Sequence, residues 1–531
     1  MSKPTRKAND GKICISICAQ TTDELAGRLR QADSHGEVIE VRFDCLEKND
    51  LAATLQLISS LSLRSGLLAT ARPNSEEFFS NKSAAETFEM NAAFEERISF
   101  WQQVLEANLF QYVDFEDDLV FALTYNELFS PELLSSVEII GSHHNFYETP
   151  DLSPVLEIFV PDPASNFRCE IVKVATTAHT ITDTIEQWYL LDWAKHFGVK
   201  AVPVSMGEVG KWTRILGLAH GAAMTYAALD KGGETASGQI TATDLIDIYR
   251  VRELDMETEV YGLIAGNTSY SMSPYIHNAS FTASKMNRVF VPLQVADLDE
   301  FIRRMVRPET REVELNFKGF SVTNPHKQDI IHRLDEIDVI AKTIGAVNTV
   351  KAEDGRLIGT NTDAGGFIEP LKRSYEDLAG AAVAVFGSGG AARACIFARM
   401  QEGADVTVYA RDPKRLASLT EQFSVRSQLI ADSVELTAEI LVNATPLGTK
   451  GDHENETIAE RSQLKGVKLV YDLTYNPADT KLLSEAKAAG CQTLGGLDML
   501  IGQAVKQFEY WTGESPSLEA MTAAAIDRLK R

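Results

Sequence analysis

The sequence predicts an α/β protein in two parts: a (β/α)8 TIM barrel over residues 1–250, then a second α/β unit over residues 257–531. Three observations predict this. Eight short apolar runs alternate with helix-length amphipathic stretches between residues 12 and 229, the strand–crossover rhythm of a closed parallel barrel. Polar residues collect at the C-terminal ends of those runs, where such a barrel builds its site. Further on, "AAVAVFGSGGAARACIFARM" (381–400) reads as an apolar strand, a Gly-rich turn and a helix.

The eight runs are "KICISIC" (12–18), "EVIEVRF" (37–43), "GLLATA" (66–71), "FQYVDFE" (110–116), "VEIIGS" (137–142), "CEIVKVA" (169–175), "VKAVPVSM" (199–206) and "AAMTYAAL" (222–229). The last also reads as a helix. Segments such as "TDELAGRLRQA" and "TITDTIEQWYLLDWAKHFG" supply crossovers. A loop rich in Gly, Ser and Thr ("DKGGETASGQI"), a short helix-like "TDLIDIYRV" and an acidic "ELDMETEV" put a boundary near 250–258.

With 51 Lys and Arg against 75 Asp and Glu, the chain carries a net charge of −24. That argues against nucleic acid and anionic membrane surfaces as partners, but not against small anionic substrates, which need only a few local arginines. Mean hydropathy is −0.12, and no run approaches the roughly 18 apolar residues of a membrane helix. The start is short and polar, with no secretory or transit pattern. Six cysteines (Cys14, Cys18, Cys45, Cys169, Cys395, Cys491) form no CxxC pair and no zinc-spaced cluster. A reduced, cytoplasmic protein without a structural metal is expected.

In "CEIVKVATT" (169–177), alternation puts Cys169, Ile171, Lys173 and Ala175 on one face. A lone lysine there reads as a snorkelling side chain. Its company changes that. Glu40, Arg42 and Asp44 close the second run, Arg72 the third; His143 and His144 follow the fifth, and Met206 ends the seventh. An amine in a dry barrel beside a histidine, arginines and carboxylates makes a site for covalent catalysis.

In the Gly-rich turn, Gly387, Gly389 and Ala392 give G-x-G-x-x-A between strand and helix, the setting in which backbone N–H groups and a helix N-terminus receive a pyrophosphate. The next strand, "DVTVYA" (405–410), is followed by Arg411 rather than an acidic residue. Arg411 and Arg415 suit a 2′-phosphate and so NADP. Asp412 pulls the other way: a carboxylate reaching the ribose would favour NAD.

These residues carry a resemblance. The first half resembles type I 3-dehydroquinate dehydratase through "EVRFD" (40–44), "ARPNSE" (71–76), "SHHNF" (142–146), the lysine of "VKVATTA", "SMGEVGKWTR" (205–214) and "TASGQ" (235–239). The second resembles shikimate dehydrogenase through "SMSP" (271–274), "SVTNPHK" (321–327), "GAVNT" (345–349), "GTNTD" (359–363), "GSGGAARA" (387–394), "NATPLG" (443–448), "YDLTYNP" (471–477) and "GGLDMLIGQ" (495–503). Their order is that of the fused plant-type bifunctional enzyme. "GNTSYSMSP" is one residue shorter than the family's loop, and Thr449 stands where a Met is common.

The resemblance implies that 3-dehydroquinate is dehydrated to 3-dehydroshikimate, which NADPH then reduces to shikimate. Lys173 would form the Schiff base, His144 would be base and then acid, and Glu76 would orient His144. An apolar interior with Arg72 and Arg214 nearby would bias the amine toward reaction. Arg214 would clamp the substrate carboxylate, with Glu40, Arg42, Arg72, Met206, Thr235 and Gln239 lining the pocket. In the second half Ser271 and Ser273 would take the carboxylate, and Thr323, Asn348, Asp363 and Gln503 the ring hydroxyls. Lys327 and Asp363 would be the catalytic pair, with Tyr475 in the pocket wall. Gly387, Ser388, Gly389, Gly390, Ala391, Arg411, Arg415, Thr445, Gly496 and Met499 would hold NADP. A substrate subdomain of about 257–363 plus 495–531 and an NADP-binding Rossmann subdomain of about 364–494 are expected. The rival readings are a Schiff-base aldolase barrel fused to a quinate/shikimate dehydrogenase, and a second half that senses its ligand without turnover.

Overall fold

All eight expected runs are strands, including the last, in a computed structural model that describes residues 9–47, 51–72, 92–161, 165, 167–375, 377–430 and 437–530. They are β1 (Lys12–Ile17), β2 (Val38–Arg42), β3 (Gly66–Thr70), β4 (Tyr112–Glu116), β5 (Glu138–Asn145), β6 (Ile171–Thr177), β7 (Lys200–Met206) and β8 (Met224–Ala228). Each pairs in parallel with its neighbour in the order β7-β6-β5-β4-β3-β2-β1-β8. The Ala223 N–H donates to the Ala201 carbonyl at 2.8 Å, joining the two ends of that order. A two-residue β9 (Ile240–Thr241) extends β8.

Strand parity decides what faces inward. Cys14, Val38, Leu68, Tyr112, Ile140, Ile171, Ala175, Val202, Val204, Met206, Met224 and Tyr226 form one buried cluster. Residues of the same parity — Ser16, Glu40, Asp114, Glu116, Ser142, His144 and Lys173 — are also buried. The apolar members fill the barrel and the polar ones crown it toward the strands' C-terminal ends.

The second part holds two six-stranded sheets. One is mixed, built from β10 (Glu259–Ala265), β11 (Arg288–Gln294), β12 (Phe317–Val322), β13 (Glu336–Ile337), β14 (Thr349–Glu353) and β15 (Arg356–Thr360), in the order β11-β10-β12-β14-β15-β13. The other comprises β16 (Ala382–Phe386), β17 (Asp405–Ala410), β18 (Arg426–Leu429), β19 (Ile440–Asn443), β20 (Leu469–Asp472) and β21 (Gln492–Leu494). Its pairings are parallel and its order, β18-β17-β16-β19-β20-β21, is that of a doubly wound dinucleotide fold. The order reverses between β16 and β19, so a crevice opens there.

The chain divides into two compact units. The first takes residues up to Thr258 together with 294–305 and 310–315; the second takes the rest. Within the first, the helix Leu298–Phe301 packs on the turn Ile181–Thr184, and the Tyr189 hydroxyl donates to Glu312 at 3.3 Å. Among the described residues no helix is long and apolar enough to cross a membrane.

The expectation of uniformly reduced cysteines fails at one place. Cys18, just past β1, and Cys45, just past β2, are disulfide-bonded. Adjacent parallel strands bring their ends together, a proximity that 27 residues of separation hides. Cys14, Cys169 and Cys395 are free and buried, and Cys491 is free and half-buried. We expect denatured, unreduced protein to take up four maleimides and reduced protein six; six in both would remove the bond.

Candidate active sites

The first site grows from strand parity. Asp114 and Glu116 on β4, Ser142 and His144 on β5 and Lys173 on β6 share the inward face, and the ladder sets Ser142 opposite both Glu116 and Lys173. Arg72, two residues beyond β3, lies across this group. It donates to both Asp114 oxygens at 2.8 and 2.7 Å, to Ser142 Oγ at 3.0 Å and to Glu116. Lys173 Nζ sits 2.9 Å from Asp114 Oδ2 and 3.9 Å from Glu40 Oε1. Glu40 accepts from Thr70 at 2.8 Å and from Ser16, whose hydroxyl accepts from Thr235 at 2.8 Å. Thr235 N–H donates to Gln239 Oε1 at 2.8 Å, so the "TASGQ" loop is tied over β1.

The electrostatics follow from burial beside a guanidinium. Burial pushes both carboxyls up, but Arg72 outweighs it: Asp114 is held far below the usual range and Glu116 is lowered to about 2. Their stabilising effect is present above the unfolded value of 4.5 for Glu116 and is lost as pH falls toward 2. Burial first, then the charge on Arg72, lowers His144, while Glu116 partly offsets this. His144 is therefore neutral at pH 7, able to accept a proton.

Several expectations need correcting. Lys173 does not stand in a purely apolar interior: it shares the Asp114 carboxylate with Arg72; the alternation of Asp114 and Glu116 in "YVDFE" was the overlooked signal. Glu76 lies outside the described residues; among those described, the carboxylate beside His144 is Glu116, 3.3 Å from Nδ1. Arg214 is fully buried, and its guanidinium donates to the backbone carbonyls of Ser205 (2.7 Å) and Ser237 (3.4 Å); desolvation lowers it to about 10. It ties the end of β7 to the "TASGQ" loop. Arg42 is paired with Asp44 at 2.6 Å. Met206 is buried at the end of β7. His143 turns away to Asp117, 2.6 Å off.

The second site is a pocket lined by Ser271, Ser273, Thr323, Lys327, Asn348, Asp363, Ala391, Tyr475, Gly496, Met499 and Gln503, among others. Eleven expected residues from scattered motifs thus meet in one cleft. Lys327 Nζ lies 2.5 Å from Asp363 Oδ2. Asp363 opens the helix Asp363–Ser374, where the macrodipole favours a carboxylate. Its other oxygen accepts from Asn348 Nδ2 at 2.7 Å. Gln507 was missed: Oε1 accepts from Ser321 at 2.9 Å and meets His277 Nε2 at 3.1 Å, while Nε2 donates to Asn348 O at 3.2 Å and Thr349 Oγ1 at 3.1 Å. Burial lowers His277 to about 4, so it stays neutral and donates from Nε2. Gln507 falls one turn after Gln503, the available signal.

At the sheet reversal, Gly387 adopts φ +127°, and a Cβ there would stand 2.6 Å from Ala444 O. A side chain is excluded on both counts. Gly390 begins the helix Gly390–Gln401 against the Lys327 stem, where a Cβ would meet Cδ at 2.8 Å. Ser388, Gly389 and Ala391 complete the turn, and Thr445, just past β19, donates to Asn443 Oδ1 at 2.6 Å. Arg411 is exposed, with no hydrogen-bond or ion-pair partner among the described residues. Asp412 caps the next helix, accepting from Lys414 N at 2.8 Å and Arg415 N at 3.2 Å, and lies 3.7 Å from the Arg415 guanidinium. Its carboxylate is thereby engaged in helix capping.

A barrel with an amine, an imidazole and paired carboxylates, beside a unit with a lysine–aspartate pocket opening on a dinucleotide crevice, defines a two-site enzyme of lyase and oxidoreductase class. Family models match as type I 3-dehydroquinase over residues 13–256, shikimate dehydrogenase substrate binding domain over 263–350 and shikimate 5′-dehydrogenase C-terminal domain over 496–526. The chain is 30% identical over 524 residues to the chloroplastic bifunctional 3-dehydroquinate dehydratase/shikimate dehydrogenase of Arabidopsis thaliana, covering 95% of this chain and 82% of that protein. It is 34% identical over 284 residues to the shikimate dehydrogenase (NADP(+)) of Pelodictyon phaeoclathratiforme, covering 52% and 99%. A Thermus thermophilus shikimate 5-dehydrogenase structure with NADP(H) and shikimate is 32% identical, covers 51% of this chain and 99% of that one, and gives a TM-score of 0.46. The chain belongs to the family of bifunctional 3-dehydroquinate dehydratase/shikimate dehydrogenases, which join a lyase and an oxidoreductase of the shikimate pathway in one polypeptide.

Proposed function

We propose that the first unit dehydrates 3-dehydroquinate through a Schiff base on Lys173, and that the second reduces 3-dehydroshikimate with NADPH. The observation that carries the first step is the buried cluster of Lys173, Asp114, Arg72, Glu116 and His144 on adjacent strands. Asp114 receives the amine's proton or hands it on, since Nζ and Oδ2 are in contact. The Nζ–C bond forms at the ring ketone as the C=O π bond breaks. The oxygen leaves as water, taking one proton from the amine and one from an acid. The resulting iminium acidifies the adjacent C–H, and its proton passes to His144. The same proton then departs with the C1 hydroxyl as a second water, and one water returns to hydrolyse the iminium, breaking the Nζ–C bond and releasing 3-dehydroshikimate and the Lys173 amine. Glu116 holds the imidazole. The tied "TASGQ" loop excludes water from the iminium.

In the second unit Ser271 and Ser273 hold the carboxylate, and Thr323, Asn348 and Gln503 the ring hydroxyls. Lys327, oriented by Asp363, gives a proton to the carbonyl oxygen. Bound NADPH supplies the hydride. The Gly387 turn, the open start of the following helix and Arg411, unpartnered among the described residues, suit the dinucleotide. We also place the protein in the cytoplasm; activity confined to an organelle fraction of the source cells would overturn that. Adding 3-dehydroquinate and NADPH to the whole chain tests both activities together: the cofactor absorbance falls only if both run.

Two outcomes are expected here. Removing the Glu116 charge takes away a neighbour that raises His144, so Glu116→Gln moves the acid limb of the dehydration profile to lower pH and cuts its plateau by roughly 10-fold; a limb that moves up or stays contradicts the assignment. Arg411→Ala lowers the kcat/KM preference for NADPH over NADH by about 10- to 100-fold, a charge-assisted contact discounted for exposure. Equal losses with both cofactors would place the phosphate elsewhere.

A further inference from the structure

We infer that Tyr226 is a catalytic residue of the dehydration, its ring face stabilising the cationic iminium on Lys173; this rests on the Schiff-base reading above. Tyr226 lies on β8, whose ladder sets it opposite Cys14 of β1, and its side chain enters the barrel. Lys173 Nζ stands 4.2 Å from the ring centroid. Among the described residues, the carboxylates within 4 Å of Nζ are Asp114 and Glu40, at 2.9 and 3.9 Å. Tyr226 and Lys173 are each about 5% exposed, so little water screens the pair.

The chemistry of the nitrogen decides what each neighbour can do. An ammonium has three hydrogens to offer, whereas an iminium nitrogen carries one. After condensation at most one hydrogen bond to Asp114 or Glu40 survives, and the substrate carbon displaces the rest. A π face needs no hydrogen, so its attraction for the charge lasts as long as the cation does. The amine and the carbinolamine that precede the iminium are neutral at nitrogen and gain nothing from it. The face therefore favours the charged intermediate over its neutral precursor, the differential stabilisation that speeds a step. Because it also attracts a resting ammonium, its effect is read on the iminium population rather than on KM.

The hydroxyl has no such part. It is buried, meets full hydrogen-bond geometry with none of the described residues, and has the Cys14 thiol beside it. Burial first, then the neighbouring Cys14, Glu40 and Asp114, push the phenol up, so the ring stays neutral.

The test replaces Tyr226 in the full chain by Phe, by mono-, di- and trifluorinated phenylalanines, and by Leu. Fluorination drains the face of electron density with little change in shape. Borohydride trapping with 3-dehydroquinate, read by peptide mass at Lys173, gives the iminium fraction; kcat and Tm are measured alongside. Tyr226→Phe should stay within about threefold of wild type, and the trapped fraction and kcat should fall stepwise with fluorination, to roughly 10- to 30-fold in the trifluoro and Leu proteins. A flat series in folded proteins whose wild type is labelled at Lys173 overturns the role of the ring alone. Collapse in Tyr226→Phe assigns the effect to the hydroxyl and likewise overturns it. A wild type without label at Lys173 overturns the Schiff-base reading itself.

Discussion

Lys173→Ala abolishes dehydration, a loss on the order of 10⁴-fold or more in kcat, while reduction of 3-dehydroshikimate stays within about threefold of wild type. No other described amine stands in the barrel's crown: the groups around Nζ are Asp114, Glu40 and the Tyr226 ring. Borohydride with substrate should add a ligand mass to the peptide carrying Lys173 in wild type and none in the variant. Lys173→Arg separates charge from nucleophilicity. It can keep a cation on Asp114, and so the packing, yet cannot condense with a ketone. Turnover surviving in either protein, or label on another lysine, would show that the covalent step lies elsewhere.

Lys327→Ala has the mirror effect. Reduction falls by about 10²- to 10⁴-fold in kcat, the usual range for a positioned proton donor, with dehydration within about threefold. Asp363→Asn should follow it at a smaller loss, since Asn keeps the contact with Asn348 but gives up the charge facing Lys327. Stopped-flow reduction with cofactor bound separates chemistry from binding. An unchanged hydride step with a raised KM would demote Lys327 to a substrate clamp.

Much of this was legible because two periodicities carry so much. Period-two alternation in "CEIVKVA" put Lys173 inside the barrel together with Ile171 and Ala175, where they are found. The second site was legible because its residues sit in short ordered motifs, each just past a strand or at a helix start. What escaped depends on distance through space. Asp114 and Glu116 sit in a run read only as apolar, so the ion pair beneath Lys173 and the partner of His144 were missed. Tyr226 lies in the run that doubled as a helix. The role of Arg214 hinges on two backbone carbonyls, groups that no side-chain pattern reports. Asp412 was weighed against Arg411 without a sign that its carboxylate caps a helix, where it accepts from two N–H groups.

Residues 294–305 and 310–315 come late in the sequence yet belong to the first compact unit. Leu298, Phe301 and Met305 are buried there. The border between the two compact units is therefore not a single cut in the sequence. A gene split at codon 257 would hand the downstream product an apolar segment stripped of its packing partners and leave the upstream product with a bare patch. Recombination that shuffles either activity into another context faces the same obstacle. One polypeptide also means that the two catalysts are synthesised at a fixed one-to-one ratio.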